Sequence, residues 1–440
     1  MISFANIKTF FSSEEDRTVA MLGRVYEDEV LLYSSVKELF FADLPANSFT
    51  GKSILLKPNF VKQNEQPWDD ICLFTHPNLI LATLKVLLEC KPKSIVVGDA
   101  PIQDCHWEEM LHQDFYDKVK ALSEKYHVPI SIRDFRKVIF DPATNQFGKS
   151  KRSDEDYLIF DVADRSFLEP ITDDDIKFRV TNYDPARMKL SHSKGMHKYC
   201  VAREIFESDI VITMPKTKTH RMACLTNSLK ILVGMNGDKD YLPHHRIGSS
   251  EQGGDCYKDY SPLRDIAEKM MDFANHHKGA FYFLPIRFFC KVLWKISLPH
   301  KGESFGATWY GNDTVWRMVM DLNIIAQYGK LDGTLSDKPQ RVLYTLCDGI
   351  VGGQNNGPLI PNPLASGFLM FSNDPYLSDE IAGLLFKLNL DKIPLLRQAK
   401  DENKDKNIKI MLNGSLADKA SISTIGIKAE VPDGWIGYDK

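Results

Sequence analysis

The chain has 440 residues, a net charge of −4 and an apolar share of 43%, a composition typical of a globular protein. The absence of a basic excess disfavours nucleic acid as a partner, because proteins that bind it usually present a basic face to the phosphates. The eight cysteines form no CxxC pair, so we expect neither a zinc ribbon nor an iron–sulphur cluster.

Alternating strands and helices are predicted from residue 52 onward. Short apolar runs indicate buried strands, and apolar positions that recur every three or four residues indicate helices. The predicted strands lie at 52–57, 94–98, 130–140, 209–214, 341–347, 368–371 and 408–412. The predicted helices lie at 76–90, 107–126, 222–233, 262–275, 283–297, 313–328 and 377–388. This order predicts an α/β fold with a mostly parallel sheet and helices on both faces.

One composite α/β domain is expected at 51–400. An N-terminal extension at 1–50 precedes it, and a C-terminal extension at 401–440 follows it. Residues 141–200 are rich in Asp, Arg and Ser between short apolar runs, which favours an irregular sub-domain insertion, with a domain break in the same stretch as the alternative. A helical insertion is predicted at 261–330, where helical patterns follow one another without a strand between them.

Charged and polar side chains stand at the carboxyl ends of four predicted strands, where open α/β sheets bind their ligands. They are Lys57 and Asn59, then Asp99, then Lys216, Lys218 and His220, and finally Asp348. The lysines and Asn59 are predicted to bind the phosphate or carboxylate of a small anionic substrate. We expect His220 and Asp348 to transfer protons and Asp99 to bind a metal ion. Ordinary solvated loop charges are the alternative.

The segment 216–260 has the densest set of further candidates. Substrate binding is predicted for Lys230, Asn236 and Arg246, proton transfer for His244, and metal binding for Asp255. The glycines of this segment would allow backbone N–H groups to approach an anion. Neighbouring side chains usually point apart, so we expect one of His244 and His245 to be functional and the other structural. A polar surface loop is the alternative.

Two later segments add candidates. Asn312-Asp313-Thr314 is expected to cap a helix, on which Arg317 would bind substrate from a cleft wall. Pairing of Arg317 with Asp321, one helical turn further on, is the alternative. The glycine-rich segment 349–358 matches no standard nucleotide-binding loop, so it is interpreted either as a backbone site for an anion or as a turn.

Residues 281–301 combine aromatic and apolar side chains with Arg287, Lys291 and Lys295, which are four residues apart. Such a pattern is typical of a helix that lies in a membrane interface, and a buried helix or a dimer contact is the alternative. The N-terminus lacks the pattern of a secretory signal, and no apolar stretch is long enough to span a bilayer. We therefore expect a cytoplasmic protein with peripheral contact to the inner membrane face through 281–299.

Long blocks of the sequence resemble a known family. The blocks are LLKPNF (55–60), THPNLILATLKVLLE (75–89), VVGDAPIQ (96–103), SDIVITMPKTKTH (208–220), TNSLKILVGMNGDKDYLPHHRIGS (226–249), WYGNDTVWRMVMDLN (309–323), CDGIVGGQNNGP (347–358) and SNDPYLSDEIAGLL (372–385). They resemble domain-of-unknown-function family 362, in a long form without the ferredoxin cysteine motifs that many members carry. That absence argues against electron transfer. The chain also departs from the family pattern at Gly352-Gly353-Gln354, where the resemblance leads us to expect a glutamate.

The resemblance also bears on function. Relatives with the longer PHHR and WYGNDTVWR blocks resemble proteins encoded with bacterial surface-polysaccharide genes. Together with the residues above, this predicts an enzyme that acts, with the assistance of a divalent metal, on an anionic surface-polysaccharide or lipid-linked glycan precursor. One alternative is a metal-cofactor redox or racemase/epimerase-type enzyme. Another is a non-catalytic, membrane-associated scaffold in polysaccharide assembly.

Overall fold

The computed structural model describes residues 2–141, 146–175, 177–180, 184–277, 279–297 and 306–438. In chain order the strands are β1 (Ser3–Thr9), β2 (Ser53–Pro58), β3 (Ser94–Asp99), β4 (Ile130–Asp134), β5 (Val138–Asp141), β6 (Gln146–Lys149), β7 (Tyr157–Asp161), β8 (Phe178–Arg179), β9 (His192–Ser193), β10 (Met196–Ala202), β11 (Ile210–Met214), β12 (Lys216–His220), β13 (Cys224–Thr226), β14 (His245–Arg246), β15 (Val342–Gln354), β16 (Asn362–Leu364), β17 (Phe368–Ser372), β18 (Ile408–Leu412) and β19 (Ser415–Ala417). The α-helices are α1 (Val19–Val25), α2 (Glu29–Phe41), α3 (Asp69–Cys72), α4 (Pro77–Glu89), α5 (Trp107–Met110), α6 (Gln113–Tyr126), α7 (Pro185–Ser191), α8 (Glu204–Glu207), α9 (Pro262–His276), α10 (Phe283–Ile296), α11 (Val315–Tyr328), α12 (Pro375–Leu385), α13 (Pro394–Asn403) and α14 (Lys419–Ile425).

The central sheet has the strand order β19-β18-β1-β17-β15-β11-β2-β3-β4. Strands β15, β11, β2, β3 and β4 run parallel to one another, and β18 is parallel to β1. Strand β17 runs antiparallel to both β1 and β15. After β11, the chain continues as β12, which pairs in parallel with the second half of β15. The predicted α/β fold with a mostly parallel sheet is therefore confirmed.

Side chains of the central strands alternate between two apolar cores. In β2, Ile54 and Leu56 join the core that contains α2 and α4, whereas Leu55 joins the core that contains α11. In β11, Ile212 joins the first of these cores and Val211 joins the second. A strand that is buried on both faces has an unbroken apolar sequence, which is why these strands could be predicted from short apolar runs. Helices cover both faces of the sheet, as predicted.

Both ends of the chain contribute to the central sheet. Strand β1 lies between β17 and β18, and β19 pairs with β18 at the edge of the sheet. The segment 1–50 also contributes a residue to the interior of the protein. Tyr26, which follows α1, is buried. The edge formed by β1, β18 and β19 therefore joins sequence segments some 400 residues apart.

The prediction of a helix at 222–233 is wrong. The structure has β13 and a 3₁₀ helix, Lys230–Met235, in its place. The polar residues between β13 and this 3₁₀ helix form hydrogen bonds with side chains of other elements. Asn227 accepts a 2.9 Å hydrogen bond from the Thr217 hydroxyl, and the Ser228 and Ser378 hydroxyls lie 2.6 Å apart. Such side-chain hydrogen bonds compete with a helical backbone and outweigh the apolar periodicity.

Three other predicted elements differ in extent. The helix predicted at 107–126 is divided into α5 and α6, and the strand predicted at 130–140 is divided into β4 and β5. The second division arises where Asp134 accepts a hydrogen bond from the backbone N–H of Arg136 over 2.9 Å and binds its guanidinium, which turns the chain. The strand predicted at 341–347 continues to Gln354, so its glycine-rich part is neither a turn nor a loop.

Candidate functional site

A cavity of about 460 Å³ opens beyond the carboxyl ends of β2, β3 and β12. Asn59 follows β2, Asp99 ends β3, and Lys218 and His220 belong to β12. The 3₁₀ helix Lys230–Met235, the loop before β14 and Arg287 of α10 contribute to the other walls. This is the position at which open α/β sheets bind ligands.

Much of the cavity wall is apolar. Contributing residues include Phe60, Val61, Ile102, Leu242 and Leu359. Pockets for small molecules commonly combine such a wall with a few well-placed polar groups that fix the orientation of the ligand. The wall therefore suits a ligand that has an apolar part, and its polar groups determine the rest of the ligand's chemistry.

Two lysines of the cavity wall have no carboxylate partner among the described residues. Lys218 is fully buried and donates a hydrogen bond to the carbonyl of Leu73. Lys230 is 8% exposed, and no described residue accepts a hydrogen bond from its Nζ. Burial lowers the pKa of Lys218 to about 7 and that of Lys230 to about 8, because their charged forms lose hydration. A bound anion would stabilise both charged forms.

Further cations make the cavity positive. Lys239 donates hydrogen bonds of 3.0 Å to two backbone carbonyls, and burial lowers its pKa to about 7. Arg221 follows β12, and Arg287 reaches the wall from α10. Together with Lys218 and Lys230, these residues give the described wall five Lys and Arg side chains. The same wall has two carboxylates, those of Asp99 and Asp104. This excess favours an anionic ligand.

Two histidines of the wall have opposite hydrogen-bonding roles. Nδ1 of His220 accepts hydrogen bonds from the backbone N–H groups of Met222 and Ala223 at 3.0 and 3.2 Å, which places the proton on Nε2. Nδ1 of His244 lies 2.7 Å from the carbonyl of Leu242 and donates to it, which leaves the lone pair on Nε2. Burial and nearby cations lower the pKa of His220 well below its usual value and that of His244 to about 4. One neutral imidazole can therefore donate a proton and the other can accept one.

A buried ion pair lies at the base of the cavity. Lys57 Nζ is 2.6 Å from Asp99 Oδ1, and Asp99 Oδ2 accepts a 2.7 Å hydrogen bond from the backbone of Phe60. Burial lowers the pKa of Lys57, and the Asp99 charge opposes this effect. Gly234 passes directly over the pair, where a Cβ atom would lie 1.9 Å from Asp99 Oδ1. The two groups predicted to bind an anion and a metal thus neutralise each other.

A second buried ion pair joins Lys216 of β12 to Asp348 of β15. Their Nζ and Oδ2 atoms are 2.7 Å apart, and both side chains are fully buried. The Tyr26 hydroxyl donates to Asp348 and accepts a 2.8 Å hydrogen bond from Lys216. The ring of Tyr26 stacks on His76, whose backbone N–H donates to Asp348 over 3.1 Å. Neither Lys216 nor Asp348 is part of the cavity wall.

The other predicted site residues lie outside the cavity wall. They are Asn236, Arg246, Asp255 and Arg317. Asp255 accepts hydrogen bonds from the Thr314 hydroxyl over 2.6 Å and from the Asp313 backbone over 3.1 Å, so it holds the start of α11. Arg317 pairs with Asp313 over 3.1 Å and not with Asp321, which accepts hydrogen bonds from Ser166 and Tyr199.

Two glycines of 234–260, Gly237 and Gly254, serve close packing within the protein. The N–H of Gly237 donates to the carbonyl of Cys200 over 2.9 Å, and a Cβ atom at Gly237 would lie 2.2 Å from the ring of Tyr157. The N–H of Gly254 donates to Ser249 over 2.9 Å. The N–H groups of Gly237 and Gly254 are therefore not open to an anion, because protein carbonyls already accept from them.

Sequence reasoning missed three cations of the wall. Lys239 lies in the segment 234–260, but no feature of the sequence identifies it as a site residue. The same is true of Arg221, which follows β12. Arg287 was assigned to a basic stripe with Lys291 and Lys295. In α10, the side chain of Arg287 turns toward the cavity, whereas Lys291 and Lys295 are exposed.

Comparisons with known proteins give a family but no activity. The family described as "Domain of unknown function (DUF362)" matches residues 138–383, more than half of the chain. The chain belongs to this family. The matched span includes the lysines and histidines of the cavity wall, whereas Asn59 and Asp99 precede it.

Two further comparisons add no functional information. No curated protein matches the chain. A crystal structure of a Thermotoga maritima protein, a target of the Northeast Structural Genomics Consortium, matches with 10% identity and a TM-score of 0.31. The match covers 77% of this chain and 56% of the Thermotoga chain. In the described residues of this DUF362 member, no helix is both long and apolar enough to cross a bilayer.

Proposed function

We propose that this protein is an enzyme that acts on an anionic substrate bound in the cavity. The observation that carries the proposal is the convergence of Lys218, Lys230, His220 and His244 on one hollow at the carboxyl ends of parallel strands. Ion pairing neutralises the other strand-end charges, but the described residues provide no carboxylate for Lys218 and Lys230. Ammonium groups of this kind bind phosphate or carboxylate.

The two imidazoles support proton transfer as the chemical step. With its lone pair on Nε2, His244 can remove a proton from the substrate, and His220 can donate one from Nε2 to a developing negative charge. The nearby ammonium groups would stabilise that charge in a largely water-free site. The reaction class that follows is a proton-transfer or hydrolytic reaction at a group attached to the anion.

The apolar wall favours a substrate that is an amphiphilic anion, with an apolar part as well as a negative charge. A lipid-linked or surface-polysaccharide precursor has an anionic phosphate next to an apolar or sugar portion, and such a molecule fits a positive cavity with an apolar wall. Metal assistance is part of the proposal, and a divalent ion would enter beside Asp104, because Lys57 already neutralises Asp99, the other carboxylate of the described wall. Assays with and without Mg²⁺ test that part separately.

Replacing His244 with glutamine is expected to reduce turnover by about 10²- to 10⁴-fold, because a neutral amide cannot accept a proton. The assay panel comprises polyprenyl phosphates, sugar phosphates and nucleotide sugars, each with wild-type protein and the variant. His112→Gln is the matched control, since His112 is an exposed histidine far from the cavity wall. Equal turnover by His244→Gln, or no turnover and no binding across the whole panel, would contradict the proposal.

Peripheral membrane contact is the second proposal, supported by the outer face of α10 and the residues before it. Phe281 is 93% exposed, and Phe288 and Phe289 are 64% and 57% exposed. Exposed aromatic side chains of this density favour insertion into the interface of a bilayer. Because Arg287 connects the same helix to the cavity wall, the contact would place the cavity beside the lipid surface.

The double variant Phe288→Glu and Phe289→Glu is expected to abolish pelleting with vesicles that contain anionic lipid. Two carboxylates would have to leave water for the interface, which opposes binding. The matched control is Val30→Glu with Leu416→Glu, since both residues are 77% exposed on other elements. Pelleting by the α10 variant to the same extent as the wild type would remove the membrane proposal.

A further inference from the structure

A second cluster of reactive side chains lies outside the cavity, at His245, Cys256 and Glu268. The three side chains come from β14, from the loop that follows it and from α9. One potential ligand atom of each lies within 4.8 Å of the other two. All three residues are at least 98% buried, so the cluster is closed to bulk solvent.

The hydrogen bonding of the cluster is incomplete. Nδ1 of His245 and Oε1 of Glu268 are buried atoms without a hydrogen-bond partner among the described residues. The other carboxylate oxygen of Glu268 accepts a 3.0 Å hydrogen bond from the backbone N–H of Gly248. Buried polar atoms without a partner are rare in proteins, and an unobserved ion is one of the standard explanations. Two such atoms beside one thiol point to a common ligand.

A small void adjoins the cluster. Its volume is about 10 Å³, and both His245 and Glu268 line it. This volume is close to that of a single bound water molecule or ion and excludes a larger ligand. Arg179 and Asp272 also line the void and pair with each other over 3.0 Å.

We propose that His245, Cys256 and Glu268 bind one Zn²⁺ ion that fixes the α9–α10 hairpin to the core of the protein. Imidazole nitrogen, thiolate sulphur and carboxylate oxygen are the three ligand types that zinc uses in proteins. A thiolate disfavours the hard ions Ca²⁺ and Mg²⁺. Bond lengths of about 2.0–2.3 Å separate the ligand atoms of a tetrahedral zinc site by about 3.5 Å, so a small inward movement brings the three side chains to bonding distance. A water molecule in the adjoining void would be the fourth ligand.

Before metal binds, the three residues differ in protonation state. Burial lowers the pKa of His245 to about 3, so the ring is neutral, which is the form that binds metal. Burial and the neighbouring Glu268 raise the pKa of Cys256 well above its usual value, and burial raises that of Glu268 to about 7. Zinc would reverse both effects, because it stabilises the deprotonated thiol and carboxylate.

The site would act structurally. Tyr257 follows Cys256 and contacts Trp294 of α10 at a ring distance of 5.4 Å, and Arg264 of α9 stacks over both rings. A metal that joins β14 to α9 would therefore hold the hairpin, whose other side carries Arg287 into the cavity wall. The proposal does not depend on the reaction in the cavity, and its test uses no activity measurement.

Metal content and absorption of the full-length protein test the site. Wild-type protein that has been loaded with zinc and then dialysed is expected to retain about one zinc per chain. His245→Gln, Cys256→Ser and Glu268→Gln are each expected to reduce the retained zinc at least tenfold. Cys290→Ser is the matched control, because Cys290 is also fully buried but lies in α10 outside the cluster; it should retain the metal.

Cobalt provides the second measurement. Protein loaded with Co²⁺ is expected to show a thiolate-to-cobalt charge-transfer band that Cys256→Ser lacks and Cys290→Ser keeps. Removal of zinc from the wild type by a chelator should lower its melting temperature by several degrees, which remains informative if a variant fails to fold. No retained zinc in the wild type, no charge-transfer band, or a band that persists in Cys256→Ser would overturn the proposal.

Discussion

Replacing Asp348 with alanine is expected to lower the free energy of unfolding by about 3–5 kcal/mol, because the change leaves Lys216 buried without its counter-charge. Lys216 and Asp348 are both fully buried and 2.7 Å apart, so water cannot replace the lost carboxylate without opening the core. The Tyr26 hydroxyl loses an acceptor at the same time. The measurement is the denaturant midpoint at constant slope, since an unchanged slope indicates the same unfolding transition.

A double variant distinguishes the contribution of the ion pair to stability from the contribution of the volume that its side chains fill. Lys216→Met with Asp348→Leu removes both charges and keeps the volume, so it should be far less destabilising than Asp348→Ala. Asp391→Ala is the surface control, because Asp391 binds Lys400 over 2.6 Å and both side chains are exposed. A loss of at most about 1 kcal/mol is expected there. A similar small loss for Asp348→Ala would show that the Lys216–Asp348 pair does not stabilise the fold.

Replacing Lys230 with methionine is expected to weaken sulfate binding by about 10- to 100-fold, the range that follows from about 1.5–3 kcal/mol for a hydrogen bond to a charged group. Methionine keeps most of the apolar stem of the lysine, so the wall of the cavity should be preserved. Calorimetric titration of wild type and variant with sulfate measures the difference. Lys400→Met, a change of the same kind on the surface, should leave the affinity unchanged.

The same titration should depend on pH. The pKa of Lys218 is lowered to about 7 and that of Lys230 to about 8, so both are charged at pH 6 and sulfate binds without proton uptake. Above these values each lysine must take up a proton on binding, so the affinity falls as the pH rises from 6 to 9. Sulfate keeps its charge over this range, and Lys230→Met should flatten the profile. An affinity that is constant or rises with pH would contradict this account of the lysines.

The fold could be predicted from the sequence because its strands and helices have simple apolar patterns. The strands around β2 and β11 are buried on both faces and read as unbroken apolar runs, and α4 and α9 have clear helical periodicity. The rule that ligands lie beyond the carboxyl ends of parallel strands also placed Lys218 and His220 near a common hollow. Lys230 and His244, which were predicted from the segment 216–260, line the same wall.

The pairing of strand-end charges could not be predicted. A lysine after an apolar run has the same sequence pattern whether it lines a cavity, like Lys218, or pairs with an aspartate on the neighbouring strand, like Lys57. The difference depends on strand order and register, which place Lys216 directly opposite Asp348. The cluster around His245 was missed for a similar reason, because its ligands are spread over 24 residues and follow no spaced motif.

The location of bound anion tests the central claim most directly. Crystals soaked in selenate reveal the anion by its anomalous scattering, independently of any assumed substrate. We expect a selenate ion in the cavity with an oxygen about 2.7–3.2 Å from Lys230 Nζ, and its loss in crystals of Lys230→Met. Selenate bound only on the outer surface, with none at Lys230 or Lys218, would contradict the assignment of this cavity as an anion site.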